Sequence, residues 1–179
     1  LEAVWLFTGA KSFRGAKEKQ MVRFEKEKAS CRMDFFAAGR SQEASLEISS
    51  RRTAALNGVP LRTAAGLAGN FCAVIFSPAH LSLIKNGPQE RRRFIDISIC
   101  QMKPKYIHVL SEYTRILNQR NCLLKEAGYG GNLLDTLDIW DARLASYAAV
   151  LIKTRATFLE KLKPSAQGIY SGISREKEQ

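Results

Sequence analysis

The chain has 179 residues, 45% hydrophobic and 25% charged, an ordinary globular mix that can bury a core in one domain or two small ones. Its formal charge is +11, from 28 Lys+Arg against 17 Asp+Glu, with basic residues recurring from Lys11 through Lys177, so its surface suits a polyanion, nucleic acid being the commonest, with an anionic membrane or simple solubility as the plain alternatives. Apolar runs such as Ala73-Val74-Ile75-Phe76 fall far short of the roughly 20 residues of a membrane span, which leaves a soluble, cytoplasmic protein as the expectation.

Leu1 to Phe7 have helix character with no N-cap residue before them, as if the helix began upstream, and Gly9 fits its end. Residues 20 to 56 read as β structure. Cys31 to Phe36 alternate and end at the turn Ala38-Gly39-Arg40. Ala44, Leu46 and Ile48 then alternate with Ser45, Glu47 and Ser49, which predicts a hairpin. Asn57-Gly58 is a tight-turn dipeptide leading to Val59-Pro60-Leu61. Cys72 to Phe76 form a continuous apolar run bounded by Asn70 and Ser77-Pro78, which predicts a fully buried strand.

After Pro78 the character turns helical. A short turn over Leu81 to Ile84 closes at Asn86-Gly87, and Pro88 opens a helix through Arg91-Arg92-Arg93-Phe94-Ile95-Asp96. Pro104 opens another, whose apolar face is Tyr106, Leu110, Tyr113, Leu117 and Leu124 with Arg120 interrupting. Gly128-Tyr129-Gly130-Gly131-Asn132 breaks the chain. The next helix repeats Leu137, Trp140, Leu144, Tyr147, Leu151, Thr154 and Phe158 at spacings of three and four, a heptad seam with one polar member. Two such helices should pair antiparallel, giving an α+β chain. Residues 174–179 are polar and read as a frayed or cut end.

The four cysteines, Cys31, Cys72, Cys100 and Cys122, show no CxxC spacing, so reduced, partly buried thiols are expected and a metal site is not. There is no GxxxxGK[ST], GxGxxG, HExxH or GxSxG string. Asp135 and Asp138 lie one turn apart near a helix start, where they complement the macrodipole rather than form a catalytic pair. No catalytic residue is assigned.

Four constellations could bind something. Arg91, Arg92 and Arg93 are the densest basic cluster, but consecutive helical residues fan out by about 100°, so they cannot share one phosphate. Without context a solvated helix face accounts for them. Lys11-Ser12-Phe13-Arg14 suits phosphate contact, although from the residues alone an ordinary polar loop is the better reading. Asn118-Gln119-Arg120-Asn121 could dock a partner or set helix register by interhelical hydrogen bonds. Ser77-Pro78 marks a strand-to-helix junction, where α/β proteins gather ligands, or a plain crossover.

Several strings, taken together, resemble the RecF family, the SMC-like branch of ABC-type ATPases. They are Leu1-Glu2-Ala3, Lys11-Ser12-Phe13-Arg14, Leu56 to Leu61, Val74 to Pro78, Leu83-Ile84-Lys85, Gly87-Pro88 and Arg91-Arg92-Arg93-Phe94-Ile95-Asp96. Pro104-Lys105-Tyr106, Gln119-Arg120-Asn121-Cys122-Leu123-Leu124-Lys125, Trp140-Asp141 and Phe158 to Leu162 continue the pattern. The resemblance implies the middle of a partial ATPase head, without Walker A, signature or Walker B motifs. Residues 1–77 would belong to the ATPase lobe, and 78–179 to a helical second lobe with a short coiled-coil-like hairpin. It implies a DNA replication, repair and recombination protein of the SOS response, nucleoid-associated. Such a protein binds gapped, single- or double-stranded DNA as an ATP-controlled homodimer and helps RecO and RecR load RecA. ATP and Mg2+ belong to the parent protein, a slow ATPase; this chain alone is expected to be inactive and to hold neither. DNA contacts fall on Lys11, Arg14, Arg91, Arg92 and Arg93, and Ser77 and Pro78 lie near the nucleotide. The family usually follows Ser77-Pro78 with Glu-Asp, where this chain has Ala79 and His80. A protein-interaction module without DNA contact is the rival reading.

Overall fold

The computed structural model describes residues 1–127 and 136–174. It is α+β and forms two compact units, Leu1–Pro104 and Lys105–Gln179. The lobe boundary expected at 77/78 lies inside the first unit. Among the described residues, no helix is long and apolar enough to cross a membrane.

The first unit begins with α1 (Glu2–Leu6), which buries Trp5 and Leu6. Gly9 ends this segment at φ +79°, and a Cβ there would sit 3.0 Å from both the Ala65 carbonyl and the Ala68 amide, so glycine is required twice over. Four antiparallel strands follow in the order β1-β2-β3-β4: β1 Ala29–Ala37, β2 Arg40–Ile48, β3 Arg52–Leu56 and β4 Val59–Pro60. The β1–β2 register pairs Cys31 with Leu46 and Met33 with Ala44. Period two therefore puts the predicted apolar set on one face. Ala44, Leu46 and Ile48 pack with Leu6, Phe7, Ala54, Ala64 and Leu67, and Cys31, Met33 and Phe35 lean on that core.

Both hairpin turns place two residues at positive φ, as a type I′ turn demands: Ala38 (53°) with Gly39 (75°), and Asn57 (50°) with Gly58 (76°). Asn57 adds side-chain support, because its Oδ1 accepts the Glu43 N–H at 2.9 Å. The Ala38 methyl cannot accept such a bond.

The buried strand expected over 72–76 does not form. The segment carries no strand assignment, and exposure alternates, with Val74 and Phe76 open to solvent. Its anchors come from one side chain and one carbonyl: Gln101 Oε1 accepts the Ala73 N–H at 2.8 Å, and the Gln101 carbonyl accepts the Cys72 thiol at 3.5 Å. An apolar run becomes a buried strand only when strands pair on its flanks, and none does among the described residues. A 3₁₀ turn (Pro78–Leu81), α2 (Ser82–Lys85) and α3 (Pro88–Met102) follow as the prolines predict, with Pro88 in the first turn of α3. Asp96 and Ile99 form the buried face of α3, and its three arginines are exposed.

The second unit is a pair of helices, α4 (Lys105–Ala127) and α5 (Leu137–Ser174). Arg120 of α4 bonds Asp141 of α5, and Arg115 of α4 lies near Tyr147 of α5. Positions rise along one helix as they fall along the other, so the pair is antiparallel. Every predicted seam residue of α5, from Leu137 to Phe158, is buried or half-buried, with Leu151 deepest. Thr154 is tolerated there because its hydroxyl donates to its own helix at the Val150 carbonyl, 2.7 Å away. On α4 the expectation needs one correction. Ile116 is fully buried and Leu124 is 41% exposed, so the apolar face winds toward Leu123. By that pairing, α5 runs on about 17 residues past the start of α4, roughly 26 Å. Leu162, Ile169 and Ile173 in this stretch are exposed. The predicted break at 128–132, Asp135 and residues 175–179 lie outside the described residues.

Candidate nucleic-acid interface

Of the 28 basic residues, 17 stand against nine acids in residues 1–104, whereas 11 stand against eight in 105–179. The positive surplus therefore belongs to the sheet-bearing unit, and there the loop after α1 is built with care. The Trp5 indole donates to the Lys11 carbonyl at 2.9 Å, and its ring meets Phe13 edge-on at 6.4 Å. Ser12, 2% exposed, donates its hydroxyl to one oxygen of Glu2 and accepts the N–H groups of Arg14 (3.2 Å) and Ala16 (3.1 Å). The other Glu2 oxygen accepts Arg14 Nε at 2.7 Å together with its Nη2. Burial pushes the Glu2 carboxyl up, but the Ser12 hydroxyl and the Arg14 guanidinium outweigh it and hold the group below the usual carboxylate value.

Two arginines brace this loop from afar. Arg52, at the start of β3 and almost wholly buried, donates Nη1 to the Ala10 carbonyl at 2.7 Å and Nε to Glu18 at 3.0 Å. Arg93 of α3 donates Nη2 to the Ser12 carbonyl at 3.4 Å. The fold thereby brings together two basic clusters that lie 81 residues apart in sequence.

The five predicted DNA-contact cations divide by occupation. Arg91 closes the end of α2, donating to the carbonyls of Leu83 (3.3 Å) and Asn86 (3.2 Å). Arg93 braces the loop, and Arg14 is paired with Glu2. Lys11 and Arg92 are exposed and form no ion pair among the described residues.

Ser77 and Pro78 form the entry to the 3₁₀ turn. His80 Nδ1 accepts the Ser77 N–H at 3.0 Å while the His80 N–H reaches the Ser77 carbonyl at 2.9 Å. His80 thus fills the position of the acid in a capping box, three residues after the cap. In the second unit, Asn118, Gln119 and Asn121 are exposed. Gln119 accepts from Arg115 on its own helix at 3.0 Å. Of the four residues 118–121, Arg120 crosses to α5, through Asp141.

Local sequence gave no sign of Glu2, Arg52 and Glu18, because each acts across the fold. All four cysteines are free, and Cys72 and Cys122 are exposed rather than partly buried as expected. Among the described residues, no group of three His, Cys, Asp or Glu side chains could hold a metal.

A small antiparallel sheet packed on a helix, followed by a helical hairpin, is the architecture of part of an ABC-type ATPase head. Two solved structures of the recombination mediator protein RecF in the RecFOR pathway, described as RecF-ATP and RecF-ATPrS, superpose on the chain. Their TM-scores are 0.89 and 0.88 at 34% identity, over 97% of this chain and 48% of theirs. In sequence, it is 41% identical to the DNA replication and repair protein RecF of Acetivibrio thermocellus over 90% of the chain and 44% of that protein. It is 37% identical to the protein of that name from Lachnoclostridium phytofermentans over 100% and 50%. The corresponding protein of Agathobacter rectalis is 40% identical over 99% and 50%. No family model matches the chain. The resemblance to RecF is thus shown in sequence and in fold, and the chain spans about half the length of the curated relatives it matches.

Proposed function

We propose that this chain works as about half of a RecF-type DNA replication, repair and recombination protein, and that its share of the work includes phosphate contact. Residues 1–77 serve in the ATPase lobe and 78–179 in the second lobe. Ser77 and Pro78 lie near the nucleotide. ATP, Mg2+ and slow hydrolysis belong to the whole protein, which binds gapped, single- or double-stranded DNA as a homodimer under ATP control. With RecO and RecR it places RecA, in the cytoplasm at the nucleoid.

The observation that supports DNA contact most directly is the bridge from Arg93 to the Ser12 carbonyl, which ties the basic segment of α3 to the loop of Lys11 and Arg14, where Lys11 and Arg92 are both exposed. Fluorescence anisotropy on gapped, single-stranded and duplex DNA across a salt series tests it. Binding should fall by roughly one log–log unit per phosphate contact, and K11A with R92A should together remove about two units. A slope near zero in the wild type would remove the reading.

The rival, a protein-docking module, draws on the exposed Leu162, Ile169 and Ile173 along the free end of α5. Substitution of those three that leaves DNA binding intact and abolishes binding of RecR would favour it.

A further inference from the structure

We propose that Glu2 is an internal counter-ion that masks Arg14, so that Arg14 is a reserve phosphate contact and not a standing one. The inference rests on the DNA-contact reading above and adds a control element to that site.

Four observations carry it. Glu2 spends one carboxylate oxygen on the Ser12 hydroxyl and the other on Arg14 Nε and Nη2. The carboxylate is sunk, with its side chain 14% exposed, while the Arg14 side chain is 69% exposed. The guanidinium therefore lies at the surface with its charge already answered from below. The Arg14 backbone is fixed as well, since its N–H donates to the same Ser12 hydroxyl that Glu2 holds. Finally, Lys11 and Arg92 are exposed and form no ion pair among the described residues, whereas Arg14 is paired with Glu2. A phosphodiester approaching this loop meets free charge at Lys11 and Arg92. At Arg14 it meets a pair of no net charge, whose remaining guanidinium N–H donors offer a hydrogen bond without an unanswered charge.

The mask is tested by a double-mutant cycle on the 179-residue chain, with DNA affinity and its salt slope as the readout. E2Q keeps the shape and an acceptor for Arg14 or Ser12 but removes the charge. The proposal expects R14A alone to leave the slope unchanged. It expects E2Q to raise the slope by roughly one unit and to tighten binding roughly three- to five-fold at moderate salt. It expects E2Q/R14A to lose that gain. A general effect of one fewer negative charge would raise affinity equally in the R14A background, and that result overturns the mask. A drop of about one unit in R14A alone also overturns it, because Arg14 would then already touch phosphate. If the wild type binds, K11A and R92A lower the slope and E2Q changes nothing, the mask fails while the DNA-contact reading stands. If neither the wild type nor E2Q shows salt-sensitive binding, both fail. A second readout needs no DNA: the Arg14 Nε–H should be protected from exchange in the wild type and lose that protection in E2Q, and an unprotected wild-type signal refutes the pairing. Unchanged Trp5 emission shows that each variant keeps the loop.

Discussion

Replacing Arg52 by alanine should unseat the loop that carries Lys11, Ser12 and Arg14. The Arg52 side chain is 8% exposed and makes two charge-assisted bonds, to Glu18 at 3.0 Å and to the Ala10 carbonyl at 2.7 Å. The other oxygen of Glu18 is buried and has no hydrogen-bond partner, so the carboxylate depends heavily on Arg52. A hydrogen bond to a charged group contributes about 1.5–3 kcal/mol. Glu18 is 29% exposed and regains some water on release, which favours the low end for each bond. The sum is about 3 kcal/mol. In a unit of this size that lowers Tm by roughly 12–24 °C. The assay is thermal and urea unfolding followed by Trp5 emission, with Trp140 replaced by Phe so that the signal reports the sheet-bearing unit alone. R52A/E18Q should recover part of the loss, because no charged carboxylate is then left buried without its partner. A cost below about 0.5 kcal/mol for R52A would refute the reasoning, since surface pairs of no structural consequence behave that way.

Two further results are expected. Ala38→Asn should stabilise the first hairpin by about 0.5–1 kcal/mol, because alanine at φ 53° is strained where asparagine is tolerated, and chemical unfolding of the sheet-bearing unit measures it. In thiol labelling at pH 8, Cys72 and Cys122 should react at once. Cys100, pushed up to about 11 by burial and the nearby Asp96 charge, should react only on unfolding; fast labelling of C72S/C122S at Cys100 would contradict this.

The sequence by itself determined the elements whose signals are local. Alternation with Ala38-Gly39 and Asn57-Gly58 made the hairpins legible, because period two decides which side chains share a face and turn residues decide where the strand reverses. The heptad from Leu137 to Phe158 was legible for the same reason, at period three to four. The basic clusters were visible as composition. Their occupation was not. Which of Lys11, Arg14, Arg91, Arg92 and Arg93 keeps a free head depends on Glu2, Leu83, Asn86 and Ser12, partners that local periodicity does not pick out. Residues 72–76 make the same point in reverse: apolar character marks a segment that can be buried, but neighbouring strands decide whether it is. Residues 118–121 are polar in any context, and only the helix's rotation against α5 decided that Arg120 faces Asp141 while its neighbours face water. Periodicity is a property of adjacent residues. Pairing across 12, 42 or 81 residues arises when the chain closes on itself, and that closure ties Arg14 to Glu2, Arg52 to Ala10 and Arg93 to Ser12.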